Sequence, residues 1–368
     1  MAFSRYSLSQ ILLPAGAFTL AVASELSGIS IHEWSSPTRI LVALLLLALV
    51  IPTVFVVLHH AEQVASRIGE PYGTLLLTLA VTAIEVSLIV SLTLHGENNP
   101  TLARESVFST VMIVTTGVVG LCLTLGGLRH RTQDIQRQGT SAFLTVLIAL
   151  TTLSLILPNY TLSAGPGNFS LLQLGFVSVV SIMIYGAFLY AQMVSHREHY
   201  AEEAARGHRP EHSSQPANMT ANVVLMGLGL IGIVLLAERM AGGIEDSLEA
   251  LELPQADAIL GAFVATLVLL PEAVSAIRAA LNNQAQRSLN VALGSACATI
   301  GLTIPAVAVA SLINGTELTL GLGSGDTVLL LLALSVSVVS FGTGLTTSLT
   351  GFVHLAIFCV YLFLIAVP

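Results

Sequence analysis

Lysine is absent: all 13 basic residues of this 368-residue chain are arginines, set against 21 acidic residues for a formal charge of -8. Charged residues make up only 9% of the sequence, where a globular domain carries about 25%. That excludes an ordinary soluble domain and a charge-rich disordered chain. Aromatic residues are scarce as well, with one Trp, seven Tyr and 13 Phe, so nucleic-acid binding has neither a basic patch nor stacking platforms. The three cysteines, Cys122, Cys297 and Cys359, all lie in apolar runs and read as small hydrophobes rather than a disulfide or metal framework. No HExxH, Gly-x-Ser-x-Gly or P-loop pattern occurs, so no enzyme and no resident cofactor is expected.

What the chain has in abundance is apolar sequence: 54% of residues are hydrophobic and the mean hydropathy is +0.85. A helix needs roughly 20 apolar residues to cross a bilayer. Eleven such stretches are expected, near 8–24, 38–58, 72–94, 105–127, 141–160, 170–194, 220–240, 257–280, 288–313, 326–346 and 349–367. Backbone groups in lipid must be satisfied within each segment, so helices joined by short turns are the physical default. Runs such as LVALLLLALVIP do not alternate as a barrel strand must. The first stretch, with Arg5, an apolar run from Ile11 and the triplet Ala21-Val22-Ala23, is also compatible with a cleaved export signal.

Arginine sets the orientation. With the N-terminus cytoplasmic, Arg5, Arg67, Arg129, Arg131, Arg137, Arg197, Arg206, Arg209, Arg278 and Arg287 fall inside, and only Arg39, Arg104 and Arg239 fall outside. The C-terminus is then periplasmic in a bacterial inner membrane, and the acidic stretch ERMAGGIEDSLEALELPQAD is an outer loop. The polar segment 196–219 holds His196, His199, His208 and His212. Metal binding or pH sensing is one reading of it, and a solvated linker broken by Gly207 and Pro210 is the other.

The two sides of that segment resemble each other. YGTLLLTLAVTAIEVSLIV carries Glu85 deep in its second half, and LGAFVATLVLLPEAVSAIR carries Glu272 in the same place. The helices that follow match again, TTGVVGLCLTLGG against ACATIGLTIPAV. Excluding the first stretch, five helices stand on each side, an odd number, so the two halves insert with opposite orientation, which is an inverted repeat. The expected organisation is an all-α polytopic membrane protein: residues 1–37 form an extra N-terminal helix and loop, 38–195 a first repeat, 196–219 a cytoplasmic linker and 220–368 a second repeat.

A carboxylate in hydrocarbon is costly and is functional by default, so Glu85 and Glu272 lead the candidates. Two carboxyls in a poorly hydrated site hold protons until another positive charge replaces them. Exchange of protons for a cation follows directly. A hard cation prefers oxygen donors, and Thr78 and Thr82 precede Glu85 on broadly one helix face, as Thr266 precedes Glu272. Asn290 and Ser295 complete the candidate ligand set, with Gly294, Ser109 and Thr115 as packing residues or ligands of second rank. Pro271 frees a carbonyl near Leu267, either as a ligand or as a plain kink. Asn282 and Asn283 suit a vestibule or a loop. Glu105 reads as a solvated boundary charge, and Glu70 as either a boundary charge or a cation guide.

GEPYGTLLLTLAVTAIEVSLI and LLPEAVSAIRAALNNQAQRSLNVALGSACATIGLTIP resemble the two alpha-repeats of the calcium/cation antiporter superfamily, nearest to its bacterial calcium/proton antiporter branch of ChaA type. The resemblance implies an eleven-helix inner-membrane exchanger that expels Ca2+ in return for H+, some members also moving Na+ or K+, and it places the acidic roles on Glu85 and Glu272. Val81-Thr82 and Val268-Leu269 stand where vacuolar relatives carry Gly-Asn before the glutamate. The alternatives are a monovalent Na+/H+ or K+/H+ exchanger and a cation channel. The partners expected are inorganic cations, protons and the bilayer, with homo-oligomer formation left open.

Overall fold

A computed structural model describes residues 7–27, 36–68, 72–95, 99–192, 218–250 and 255–367. The described helices are α1 (Leu8–Leu26), α2 (Ser36–Ile68), α3 (Tyr72–His95), α4 (Leu102–Met112), α5 (Val119–His130), α6 (Arg137–Thr151), α7 (Leu171–Tyr190), α8 (Met219–Ala250), α9 (Ala256–Leu281), α10 (Ala285–Asn314), α11 (Ser324–Gly342) and α12 (Ser348–Ala366). A wide π-helical turn, Ile113–Val118, joins α4 to α5 in one span, and a second, Thr152–Ile156, extends α6. Ten of these segments are long and apolar enough to cross a membrane. The eleventh is α3, whose shorter apolar stretch Thr78–Thr93 carries Glu85.

Local chemistry explains where helices begin and end. Ser7 with Gln10, and Ser170 with Gln173, form reciprocal capping boxes at the starts of α1 and α7. Gly315, at φ 68°, ends α10 in the left-handed conformation that favours glycine. Proline inside α1, α2, α9 and α10 (Pro14, Pro52, Pro271 and Pro305) does not break these helices. The acidic stretch expected as an outer loop is instead the continuation of α8, which runs to Ala250. The reason is a distant partner: Arg239 donates to the Ser24 carbonyl at 2.7 Å and meets Glu25 at 3.2 Å, tying α8 to α1 where that stretch begins.

The described helices divide into two compact units. One contains α1, α2, α3 and α8, with α2 and α8 packed most extensively. The other contains α4 to α7 and α9 to α12, and its core runs through α4, α5, α6, α10 and α11. Here α5 lies against α12 through glycine: a Cβ on Gly351 would stand 2.4 Å from the Thr124 backbone nitrogen and 2.9 Å from the Gly120 carbonyl.

Within this second unit the connecting segments sort into two ends. At one end β1 (Thr132–Asp134) pairs antiparallel with β2 (Leu345–Thr347), with Gln133 opposite Thr346. Beside them His130 meets the Leu281 carbonyl at 3.0 Å and the Gln136 amide donates to Gln286 at 2.8 Å. At the other end Asn168 bridges Thr319, Asn159 donates to the Leu322 carbonyl at 2.6 Å and Asn99 to Asp257 at 2.8 Å. The α4–α5 span therefore runs from the second end to the first, and α10 from the first to the second. Helices matched by sequence thus cross in opposite senses, as an inverted repeat requires.

Candidate functional site

Glu85 sits on α3 at 2% exposure, between Ile84, Leu88 and Ile89, all buried. Thr82, one turn earlier and also buried, donates its hydroxyl to the Thr78 carbonyl at 2.9 Å. A carboxylate buried to this degree is far costlier than a surface one, and it persists only with a counter-charge, a proton or a hydrogen-bond donor. In the same unit Ser91 on α3 donates to Glu238 on α8, a second acid within the helical region. His60, fully buried on α2, meets Asn222 at 2.8 Å through Nδ1 and the Gln10 carbonyl at 3.0 Å through Nε2. Sequence reading assigned no role to Glu238 or His60. The signal for Glu238 was an acid beside Arg239 at a span end, which looks solvated until the length of α8 is known.

Glu272 lies on α9 in the second unit, half-buried, with one carboxylate oxygen shielded from solvent. Its neighbour Pro271 is buried within the unbroken helix. Thr266 is exposed, and its hydroxyl donates to the Ala262 carbonyl at 2.7 Å. On α10, Asn290 accepts from Gln286 at 2.8 Å, and the Ser295 carbonyl accepts from Thr299 at 3.0 Å. Ser109 on α4 accepts from the Tyr361 hydroxyl at 2.8 Å. Gly294 faces Phe143, and Asn282 and Asn283 are exposed at the α9–α10 turn, Asn283 with φ 60°. Among the described residues no three His, Cys, Asp or Glu side chains group as metal ligands. Glu70 and the four central histidines lie outside the described residues.

Glu105 corrects its boundary reading. It is 6% exposed and paired with Arg104 at 2.6 Å, while Arg104 also donates to the Gly321 carbonyl at 3.0 Å. Burial comes from α9: Gly261 has no side chain, and a Cβ there would stand 2.8 Å from the Glu105 backbone. Around the pair, Asp257 accepts from Asn99 and Thr101, and Asp257 and Asp326 act electrostatically on Glu105. Of the cysteines, Cys122 and Cys297 are buried and Cys359 is exposed, all as free thiols.

Known proteins share this organisation. The sodium/calcium exchanger protein family matches residues 38–194 and 221–367. A putative ionic transporter of Sinorhizobium fredii is 46% identical over 334 residues, 90% of each chain. The sodium-potassium/proton antiporter ChaA of Escherichia coli is 36% identical over 330 residues, 89% of each. Among solved structures, native YfkE superposes with a TM-score of 0.70 at 19% identity over 98% of this chain and 100% of that one. The H+/Ca2+ exchanger CAX gives 0.68 at 14% identity, over 96% of this chain and 87% of that one.

Proposed function

The chain belongs to the sodium/calcium exchanger family, within the calcium/cation antiporter superfamily, and from that premise we propose that it exports Ca2+ from the cytoplasm in exchange for protons. It is a multi-pass membrane protein and a secondary cation/proton antiporter. The observation that carries the reading is the burial of Glu85 within the apolar helix α3, whose sequence counterpart carries Glu272.

In this reading the two carboxylates hold protons when the cation is absent and release them when it arrives. Two protons leaving for one divalent ion add no net charge to the low-dielectric interior, which lowers the barrier to moving the loaded site. Threonine and serine hydroxyls, the Asn290 amide and backbone carbonyls are the oxygen chemistry a hard cation takes. Thr78, Thr82, Thr266, Asn290 and Ser295 are accordingly proposed as secondary ligands, with their present backbone and side-chain bonds exchanged for the ion. Small-residue contacts such as Gly120 against Gly351 let helices shift as access alternates. The protein sits in a bacterial inner membrane, with the arginine-rich end that holds Arg129, Arg131, Arg137, Arg278 and Arg287 facing the cytoplasm.

A second reading, Na+/H+ or K+/H+ exchange, draws on the E. coli relative, whose name specifies sodium, potassium and protons. Separate pulses of Ca2+, Na+ and K+ to acid-loaded proteoliposomes distinguish the two. Proton efflux with Ca2+ supports the first, and efflux with monovalent ions alone supports the second.

A further inference from the structure

We propose that His354 is a positioning residue for cation exchange, acting through the backbone of the wide turn between α4 and α5. The proposal deepens the exchange reading and rests on it. His354 is fully buried in α12, between the apolar residues Val353 and Leu355, with its ring stacked on Phe341 at 6.1 Å between centroids. An ionisable side chain in that setting is expensive to retain unless its hydrogen bonds do something an apolar residue would not.

Both ring nitrogens are spent. Nδ1 lies 2.7 Å from the Thr115 carbonyl and Nε2 lies 3.0 Å from the Ser340 hydroxyl. A carbonyl only accepts, so Nδ1 carries the proton, and Nε2 accepts from Ser340 on α11. The imidazole therefore ties α11 and α12 to one backbone oxygen of the α4–α5 span.

That oxygen belongs to the π-helical turn. The Val119 amide reaches back five residues to Val114, and the hydroxyls of Thr115 and Thr116 turn back to the carbonyls of Val111 and Met112. A π turn is one residue wider than an α turn, is rare, and occurs frequently at functional sites. The matched helix α10 has no such turn: Thr299 there sits in regular α-helix, bonded to Ser295. The asymmetry between the two matched helices thus coincides with the single carbonyl that His354 holds.

The consequence is geometric. One inserted residue offsets the two halves of the span by about 100° of rotation relative to a continuous α-helix. Glu105 and Ser109 lie on one half, and Gly120, which lets α12 approach, lies on the other. His354 keeps that offset in place without touching the ion. Releasing the carbonyl lets the turn relax toward α-helix and turns Ser109 and Thr115, the ligand candidates of second rank, relative to Gly120 and α12.

The test is cation-dependent proton exchange in proteoliposomes carrying the wild-type chain, His354→Leu, His354→Asn or His354→Met. His354→Leu should raise the KM for the cation about tenfold, equivalent to about 1.4 kcal/mol, with little change in maximal rate. Asparagine, whose amide nitrogen replaces Nδ1 as donor, should return KM to within about threefold of wild type, and methionine, which fills the space without a donor, should not. Should the leucine variant fail to fold, the asparagine and methionine variants decide alone. Methionine as effective as asparagine, or a change confined to maximal rate, would overturn the proposal in favour of packing. The 15N spectrum of His354 is independent of transport: Nδ1 protonated and Nε2 not supports the latch, and the reverse tautomer overturns it. A wild-type chain that exchanges no cation refutes the exchange reading instead.

Discussion

Arg104→Met isolates the most consequential ion pair outside the proposed exchange residues. The side chains of Arg104 and Glu105 are 19% and 7% exposed and lie 2.6 Å apart. Removing one partner of a buried pair leaves an uncompensated charge and costs about 3–5 kcal/mol. Asp257 and Asp326 act electrostatically on Glu105, so loss of the guanidinium leaves Glu105 with two acidic neighbours and without the Arg104 charge. For a unit of this size each kcal/mol moves the unfolding midpoint by about 2–4 °C, so thermal unfolding in detergent should show a drop of roughly 6–20 °C. The double variant Arg104→Met with Glu105→Gln removes the orphaned charge along with its partner. It should recover at least half of the loss, because the penalty lies in the unpaired acid rather than in the missing attraction. A single variant within about 1 kcal/mol of wild type, or a double variant less stable than the single, would refute the reasoning.

Gly351→Val forces side-chain atoms into the backbone of α5, where a Cβ already stands 2.4 Å from Thr124 N; it should destabilise by about 3 kcal/mol or more, read as a lower unfolding midpoint, and an unchanged midpoint contradicts the packing described. A lipid-soluble maleimide should label Cys359 in the folded protein and spare Cys122 and Cys297 until denaturation, with mass spectrometry of the peptides as the check. Alkaline phosphatase fused at the C-terminus should be active and green fluorescent protein at the same place dark; the opposite pair of results would reverse the proposed orientation.

Hydropathy makes the eleven helical segments legible, because spanning a bilayer imposes one length and one composition on each. Glu85 is visible as an acid amid apolar residues, and its 2% exposure comes from the helices α2 and α8 packed on α3. Features that depend on a distant partner are not legible. Glu105 looks solvated beside Arg104 until Gly261, 156 positions later, lets α9 close over it. The length of α8 depends on Arg239 finding Ser24 and Glu25. Strands of three residues, such as β1 and β2, carry no periodicity of their own and exist because two loops meet at one end of the unit. The wide turn in the α4–α5 span likewise has no motif beyond TTG, and its carbonyl partner lies 239 positions away.

The central claim is obligatory exchange through the two repeat carboxylates. Its most direct test loads proteoliposomes with acid and a pH dye, adds Ca2+, Na+ or K+ separately, and compares wild type with Glu85→Gln and Glu272→Gln. Prompt alkalinisation of the lumen on adding Ca2+, lost in both variants while the protein stays folded and inserted, is the predicted result. Cation entry without proton movement, or exchange that persists in either variant, would contradict it.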